Sequence, residues 1–209
     1  MSSKVRIRTN VELEVRKKEF LKICNILDNI GITYFLNTGI LLGAIRDNNF
    51  IKWDWDVEIS AMSEELYKNF DLICKSIKKN NFQIIQIDEN QESLKIDFFG
   101  YFPKETTRYT IFSWNYSSKN NVYWRKDKVI PSEFLKKFSK IIFFGRSFNV
   151  PYNPKKYLKF AYGDWMTPIR TSNKAIYMTS NFKKKNFLIK KLLIKILNYM
   201  FKKFIRIKK

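Results

Sequence analysis

Three acidic residues alternate with apolar residues in the segment 53–59, which reads WDWDVEI. A two-residue period predicts a β-strand, on which Asp54, Asp56 and Glu58 share one face and the two tryptophans share the other. Three neighbouring carboxylates repel one another unless a cation lies between them, and hard oxygen ligands suit Mg2+ or Mn2+. The alternative is a half-exposed strand with an acidic face in water.

Two glycines stand just upstream of these acids, at Gly39 and Gly43, with the apolar residues of a predicted short buried helix between them. Glycine lets a backbone approach another group closely. Because the chain as a whole is strongly basic, clustered acids beside such glycines favour a functional site over a solvated strand face.

A fourth acid, Asp97, stands alone among apolar residues in the predicted strand 94–99. A lone carboxylate there is costly to bury unless it is paired or binds a metal ion. The alternative is an edge position where Asp97 reaches water. The pattern leaves both interpretations open.

Helices and strands alternate along the part of the chain that must position these acids. The spacing of apolar residues predicts helices over 11–30 and 62–79, capped by Asn10 and Ser63, and a short helix that begins at Asn153-Pro154 and ends at Gly163. Strands are predicted at 33–36, 82–87, 94–99, 107–114, 140–144 and 147–150, with the last two joined as a hairpin.

The composition excludes several classes of protein. The chain has 209 residues, a formal charge of +21, two cysteines and no histidine. We expect one domain with at most a terminal appendage. The lack of histidine excludes imidazole bases and zincin-type zinc sites. Two cysteines exclude a disulfide framework and indicate a reduced, cytosolic compartment. We expect neither a signal peptide nor a segment that spans a bilayer.

The C-terminal segment carries much of the charge, with ten lysines, Arg206 and no acids between Asn181 and Lys209. Its polar residues recur every three or four positions, which predicts a basic amphipathic helix over 181–209 that follows a catalytic domain over 1–180. Such helices lie on anionic membrane surfaces, so we expect a cytoplasmic protein that is peripheral at the inner face of the cytoplasmic membrane. The alternative is a C-terminal helix docked on the core with its lysines in water.

Four stretches, taken in order, resemble the LicD family. The family's pattern is a glycine followed by LLGA-x-R, a loop, F-I-P-W-D-x-D-x-D, a later I-D-hydrophobic strand and a late Y-G-D-W. The matching stretches here are GILLGAIR at 39–46, FIKWDWDVE at 50–58, IDFF at 96–99 and YGDW at 162–165. Order and spacing agree over roughly two-thirds of the chain.

The chain departs from the family pattern at a few positions. Lys52 replaces the usual proline, Asp47 stands where many bacterial members have histidine, and Glu58 replaces the last aspartate. Trp55 is similar to the aromatic residue of the fukutin-related branch of the family.

The resemblance implies an α+β fold: a nucleotidyltransferase-like short mixed β-sheet flanked by helices, with acids on neighbouring strands. It also implies a metal-dependent reaction. A phospho-substituent such as phosphocholine or ribitol phosphate passes from a CDP-activated donor to a sugar hydroxyl of a surface glycan, such as lipopolysaccharide or capsule, and CMP leaves.

Within that reaction the resemblance gives residues their roles. Asp56, Glu58 and Asp97 would hold Mg2+ or Mn2+, with Asp97 on the adjacent strand and also acting as general base, while Asp54 would orient the ligands. The remaining positions would bind substrate: Thr38, Gly39 and Gly43 through backbone at a helix start, Arg46 by pairing with a phosphate, and Asp164 and Trp165 near the site.

Three other functions stay open. One is nucleotidyl transfer at the same metal site, with attack at the α-phosphorus and pyrophosphate release. Another is a catalytically silent scaffold or binding protein of the same fold, which Glu58 and Lys52 make credible. Nucleic-acid binding by the basic tail is the weakest, because the lysines are not interleaved with base-stacking aromatic residues.

Overall fold

The computed structural model describes residues 5–90, 93–100, 107–126, 128–179 and 181. Its helices are α1 (Asn10–Ile30), α2 (Thr38–Arg46), α3 (Ser63–Lys68), α4 (Phe70–Lys79), α5 (Pro154–Tyr162) and α6 (Lys174–Tyr177), with a 3-10 turn at Ser132–Phe134. Its strands are β1 (Tyr34–Leu36), β2 (Asp56–Met62), β3 (Gln83–Asn90), β4 (Ser93–Phe99), β5 (Arg108–Ser117), β6 (Val122–Arg125), β7 (Lys128–Pro131), β8 (Phe138–Phe143) and β9 (Arg146–Pro151).

A mixed β-sheet forms the centre of the molecule. Its strands lie in the order β1-β2-β5-β4-β3, and β6 and β7 extend it from the C-terminal part of β5. Strands β2 and β5 are parallel, whereas β1–β2, β4–β5 and β3–β4 are antiparallel. Strands β8 and β9 pair in a hairpin of their own. The expectation of a mixed sheet with helices is confirmed.

The two faces of the central strands differ in chemistry because successive strand residues point to opposite sides. One face is apolar and packs against α1, where the hydroxyl of Tyr109 donates to the Arg16 carbonyl oxygen at 3.3 Å. Its residues Ile96, Ile111 and Ile59 are at most 1% exposed. The other face carries the acids, since Glu58, Thr110 and Asp97 occupy one row across β2, β5 and β4.

The helix boundaries follow local capping chemistry. Helix α1 is capped by Thr9 rather than by Asn10. The Thr9 side chain accepts from the Glu12 N–H, and the Glu12 carboxylate accepts from the Thr9 N–H, which forms a capping box.

The single helix predicted over 62–79 is wrong, because the chain breaks between α3 and α4 at Asn69. The side-chain amide of Asn69 donates to the Glu65 carbonyl at 2.9 Å. The Glu65 carbonyl thus accepts from the Asn69 side chain as well as from the Asn69 backbone N–H, at 3.2 Å. The expected Ser63 cap is also wrong, since Met62 occupies the N-cap position of α3 without a side-chain hydrogen bond.

Two strands were not expected from the sequence, and one predicted helix lies in residues that the structure does not describe. The strands β6 and β7 were not predicted, because four residues each is too short for a two-residue period to stand out. The predicted basic helix over 181–209 falls outside the described residues, apart from Asn181. In the described ranges no helix is both long and apolar enough to cross a membrane.

Candidate active site

A cleft of about 880 Å3, counted to its open mouth, lies beside the first turn of α2 and the start of β2. One wall carries the acids and the glycine turn: Thr38, Gly39, Asp54, Trp55, Asp56 and Glu58. The opposite wall comes from the last residue of α5 and the chain that follows it: Tyr162, Asp164, Trp165, Thr167, Ile169, Thr171, Tyr177 and Met178.

The acidic wall is part strand and part loop. Strand β2 begins at Asp56, so Asp54 and Trp55 precede it. The prediction that the tryptophans occupy the face opposite the acids is therefore wrong: Trp55 is 52% exposed and lines the cleft with them. The alternation of side chains applies only from Asp56 onward, where Val57 and Ile59 are buried.

Two arginines hold the loop that carries Asp54. The Asp54 carbonyl oxygen accepts from Arg8 Nε and from Arg16 Nη2, both at 2.9 Å, and the Trp55 carbonyl accepts from Arg8 Nη2 at 3.1 Å. Arg16 is 1% exposed, and burial lowers its pKa to about 10, so it stays charged at neutral pH. Arg16 of helix α1 and Arg8, just before that helix, thus fix the backbone of the acidic loop.

The two predicted glycines serve different contacts. A Cβ atom on Gly39 would lie 2.4 Å from Asp54 Oδ2, so glycine lets the carboxyl group sit against the first turn of α2. A Cβ atom on Gly43 would lie 2.5 Å from the Asn49 carbonyl oxygen, which is backbone of the following loop. Gly39 lines the cleft, whereas Gly43 does not, so the structure places a predicted substrate-binding glycine in a packing contact instead.

Several side chains already engage Glu58. Its Oε2 accepts from the Thr38 hydroxyl at 2.8 Å and lies 3.4 Å from Arg125 Nη2 and 4.0 Å from Lys128 Nζ. Thr38 has a φ of +52°, an uncommon conformation for a β-branched residue. Such backbone strain persists where the surrounding structure imposes it, and here it accompanies the contact that ties α2 to β2.

The electrostatics of the acidic wall favour a bound cation. Burial raises the pKa of the Asp54 carboxyl group, and the Glu58 carboxylate raises it further, while the Arg16 guanidinium and a hydrogen bond with the Asp56 carboxyl group oppose the rise. Folding therefore disfavours the charged form of Asp54 relative to the unfolded chain. Charging it at neutral pH costs free energy that a cation between the carboxylates would offset.

We expect Asp54→Asn to raise the melting temperature in EDTA at pH 7 to 8. Because the folded pKa of Asp54 is raised, the stability given by its neutral form is full below the unfolded value of about 3.9 and is lost as pH rises through the folded pKa. The variant should therefore flatten the dependence of melting temperature on pH, followed by circular dichroism. Asp71→Asn, on an exposed helix turn, is the control. A variant that melts below the wild type at pH 8 would contradict this assignment.

Asp97 lies on the acid-bearing face but not in the cleft. The expectation that it sits on the strand next to β2 is wrong, because β5 lies between β2 and β4. It is 0% exposed and accepts from the Thr110 hydroxyl and from Arg108 Nη2, both at 2.6 Å, and from Lys95 Nζ. Of the interpretations left open by the sequence, the water-exposed edge is wrong and the carboxylate is paired.

The opposite wall brings in the remaining predicted residues. Asp164 and Trp165 line the cleft, as does Arg46. The guanidinium of Arg46 pairs with Asp47 through two bonds of 2.8 Å, and its Nη1 donates to the Trp165 carbonyl at 3.5 Å. The predicted phosphate partner of Arg46 therefore has to compete with Asp47.

Sequence reasoning missed several residues of the site. Lys128, Tyr162 and Tyr177 line the cleft, and the tyrosine rings stack at 6.2 Å between centroids. Tyr157, on α5, donates to Asn37 Oδ1 and so ties the second wall to the turn before α2. Tyr162 could have been found, because it begins the YGDW stretch. Lys128 and Tyr157 could not, because nothing local distinguishes them from other lysines and core tyrosines.

The donor chemistry of the acidic wall fits a hard divalent cation, since carboxylate oxygens in mutual repulsion are what Mg2+ and Mn2+ neutralise. In the present side-chain positions, the described residues include no group of three or more acidic, thiol or imidazole side chains gathered for metal binding. Asp54, Asp56 and Glu58 share the cleft, whereas Asp97 is separated from them by a whole strand.

The mixed sheet, its helices and the acidic cleft define a mixed α/β domain with a candidate active site. Residues 31–153 match the family described as LicD/FKTN/FKRP, nucleotidyltransferase domain. The match covers more than half of the chain, so the chain belongs to this family, and the family inferred from the four motif stretches is confirmed.

Two known relatives match most of this chain, but the chain matches only part of each relative. The proteins named Ribitol 5-phosphate transferase FKRP from Mus musculus and from Homo sapiens are each 25% identical to this chain over 152 residues. The aligned region is 68% of this chain and 30% of each relative, so the chain spans about a third of their length.

Two solved structures of ANT(2″)-Ia are also similar in part. The crystal structure in complex with adenylyl-2″-tobramycin gives a TM-score of 0.44 at 11% identity, over 66% of this chain and 68% of that one. The solution structure gives 0.49 at 10% identity, over 78% and 80%.

Proposed function

We propose that this protein transfers a phospho-substituent, such as phosphocholine or ribitol phosphate, from a CDP-activated donor to a sugar hydroxyl of a surface glycan, with release of CMP. Membership of the LicD/FKTN/FKRP family supports this, as does the similarity to the two FKRP relatives, which are named ribitol 5-phosphate transferases. The observation that carries it is the cleft in which the acids Asp54, Asp56 and Glu58 meet the first turn of α2, inside the family-matched segment.

In this proposal Asp56 and Glu58 hold Mg2+ or Mn2+, which would neutralise charge that develops on the leaving phosphate. The first turn of α2 presents Thr38 and Gly39 to the donor, because N–H groups at a helix start attract anions. Arg46 also lines the cleft and can exchange Asp47 for a phosphate oxygen.

The proton of the acceptor hydroxyl needs a carboxylate in reach. The family resemblance assigns this role to Asp97, and that assignment stays a prediction. Asp54 is better placed, because it lines the cleft and burial has already raised its pKa toward the working range of a general base. Asp97 would first have to leave Lys95, Arg108 and Thr110.

The test is product analysis with a panel of CDP-linked donors, such as CDP-choline and CDP-ribitol, in Mg2+ and in EDTA. We expect CMP from one donor in Mg2+ and none in EDTA. Pyrophosphate from a nucleoside triphosphate would instead establish nucleotidyl transfer. If no donor yields CMP and no nucleotide binds, the catalytically silent scaffold is the correct reading. Binding of an anionic membrane through 181–209 and a location at the inner membrane face remain separate predictions.

A further inference from the structure

A lysine stands in the wall of the cleft beside the acids. Lys128 is the first residue of β7 and faces Arg125, the last residue of β6, across the hairpin. Both side chains are largely buried, 6% and 3% exposed, and both approach Glu58 Oε2, at 4.0 and 3.4 Å. A positive charge at such depth requires a nearby negative group, and Glu58 supplies it.

The two cations differ in their freedom to reach a ligand. The guanidinium of Arg125 lies over aromatic rings, 3.7 Å from the centroid of Phe112 and 5.3 Å from that of Trp114, and it does not line the cleft. Lys128 does line the cleft, and its flexible four-carbon stem ends in a compact charge. Arg125 is therefore built into the sheet, while the Lys128 ammonium can turn toward a molecule in the cleft.

Glu58 is a candidate partner for both the Lys128 ammonium and a divalent cation. These two cations compete for the same carboxylate. In this structure Oε2 is directed to Thr38, Arg125 and Lys128. In the proposed function the same carboxylate holds a divalent cation. When it does so, Lys128 loses part of its counter-charge at the place where the phosphates of a nucleotide must lie.

We infer that Lys128 binds the diphosphate group of the nucleotide donor and that Glu58 holds this lysine in place until donor and divalent cation arrive. The inference rests on the proposed function and deepens it, because it names a binding residue that no motif of the chain marks. Its ligand class is a pyrophosphate or nucleoside diphosphate, and its recognition is a charge-assisted hydrogen bond from Nζ to a phosphate oxygen.

The experiment measures binding, with no need for turnover. Inorganic pyrophosphate and CDP are titrated by calorimetry into the full chain, in EDTA and in Mg2+. In EDTA, Glu58→Gln should bind pyrophosphate about five- to tenfold more tightly than the wild type, because the Glu58 carboxylate no longer attracts the lysine ammonium. In Mg2+, Lys128→Met should bind CDP about tenfold more weakly, a typical size for one charged phosphate contact.

The double variant separates Lys128 from Arg125, which Glu58→Gln also releases. In Glu58→Gln/Lys128→Met, the gain in pyrophosphate affinity should disappear, since the coupling belongs to the pair. Lys140→Met, on an exposed strand position of β8, is the matched control and should change neither titration. Lys128→Arg keeps the charge and should retain most of the affinity, so it tests the inference if the methionine variant does not fold.

Equal pyrophosphate affinity in Glu58→Gln and in the double variant would overturn the inference, as would unchanged CDP binding in a folded Lys128→Met protein. These outcomes are distinguishable from failure of the proposed function. Coupled binding of Glu58 and Lys128 without CMP release would retain the phosphate site and remove the transferase. CMP release that is unaffected by Lys128→Met would do the reverse.

Discussion

Asp97→Asn should lower the free energy of unfolding by about 3–5 kcal/mol, the usual cost of removing one partner of a buried ion pair. The carboxylate of Asp97 is fully buried and accepts from Arg108, Lys95 and Thr110. Asparagine has nearly the same shape but no charge, so Arg108 and Lys95 would stay side by side without the carboxylate between them, and only the more distant Asp88 carboxylate, 3.9 Å from Lys95 Nζ, would remain. For a chain of this size the melting temperature should fall by roughly 6–20 °C, measured by circular dichroism.

A second substitution in the same cluster checks the reason for that loss. Lys95→Met removes one of the two cations, so the double variant Asp97→Asn/Lys95→Met should recover part of the lost stability. An Asp97→Asn protein that melts like the wild type but has lost activity would show instead that Asp97 belongs to the chemistry and that its cation pairs are incidental.

Asp56→Ala should reduce turnover of the CDP-linked donor by about a thousandfold and leave the fold intact. Asp56 begins β2 at the cleft and is one of the two carboxylates assigned to the divalent cation. Loss of that ion removes several kcal/mol of charge stabilisation in the transition state, and each 1.4 kcal/mol is a factor of ten in rate. The melting temperature in EDTA should not fall appreciably, because the substitution also removes one of several carboxylates that repel one another.

An acid of the same cleft provides the control for this prediction. Asp164 lies on the opposite wall, where its Oδ2 accepts from the Thr167 hydroxyl at 2.8 Å. Asp164→Ala should therefore act mainly on KM and leave kcat within about tenfold of the wild type, an effect expected of a binding contact. Equal loss of kcat in the two variants would argue against a special role for Asp56.

The local sequence was sufficient for the parts of the fold that depend on short periodic patterns. Helix α1, the strands around Asp97 and the β8–β9 hairpin all lie close to their predicted positions, because each combines a regular apolar period with a clear turn or glycine stop. The acids of 54–58 were found for the same reason. Their exact arrangement was not, since the start of β2 depends on Arg8 and Arg16, which lie about forty residues away.

The partners of the acids depend on strand order, which local patterns do not encode. Nothing near Asp97 indicates that β5 will separate it from β2 and supply Arg108 and Thr110. Likewise, Lys128 reaches Glu58 across a hairpin of two four-residue strands that is too short to predict. The residue types of the site could be identified from the sequence, whereas the pairing that sets their charge required the fold.

Direct titration with Mn2+, followed by the electron paramagnetic resonance signal of the unbound ion, tests the central claim that the acids of the cleft form a divalent-cation site. In the presence of CDP, the wild-type chain should bind Mn2+, and Asp56→Ala should lose that binding while its melting temperature in EDTA is preserved. Equal Mn2+ affinity in the wild type and in a folded Asp56→Ala protein would contradict the claim and move the metal site, or the function itself, away from this cleft.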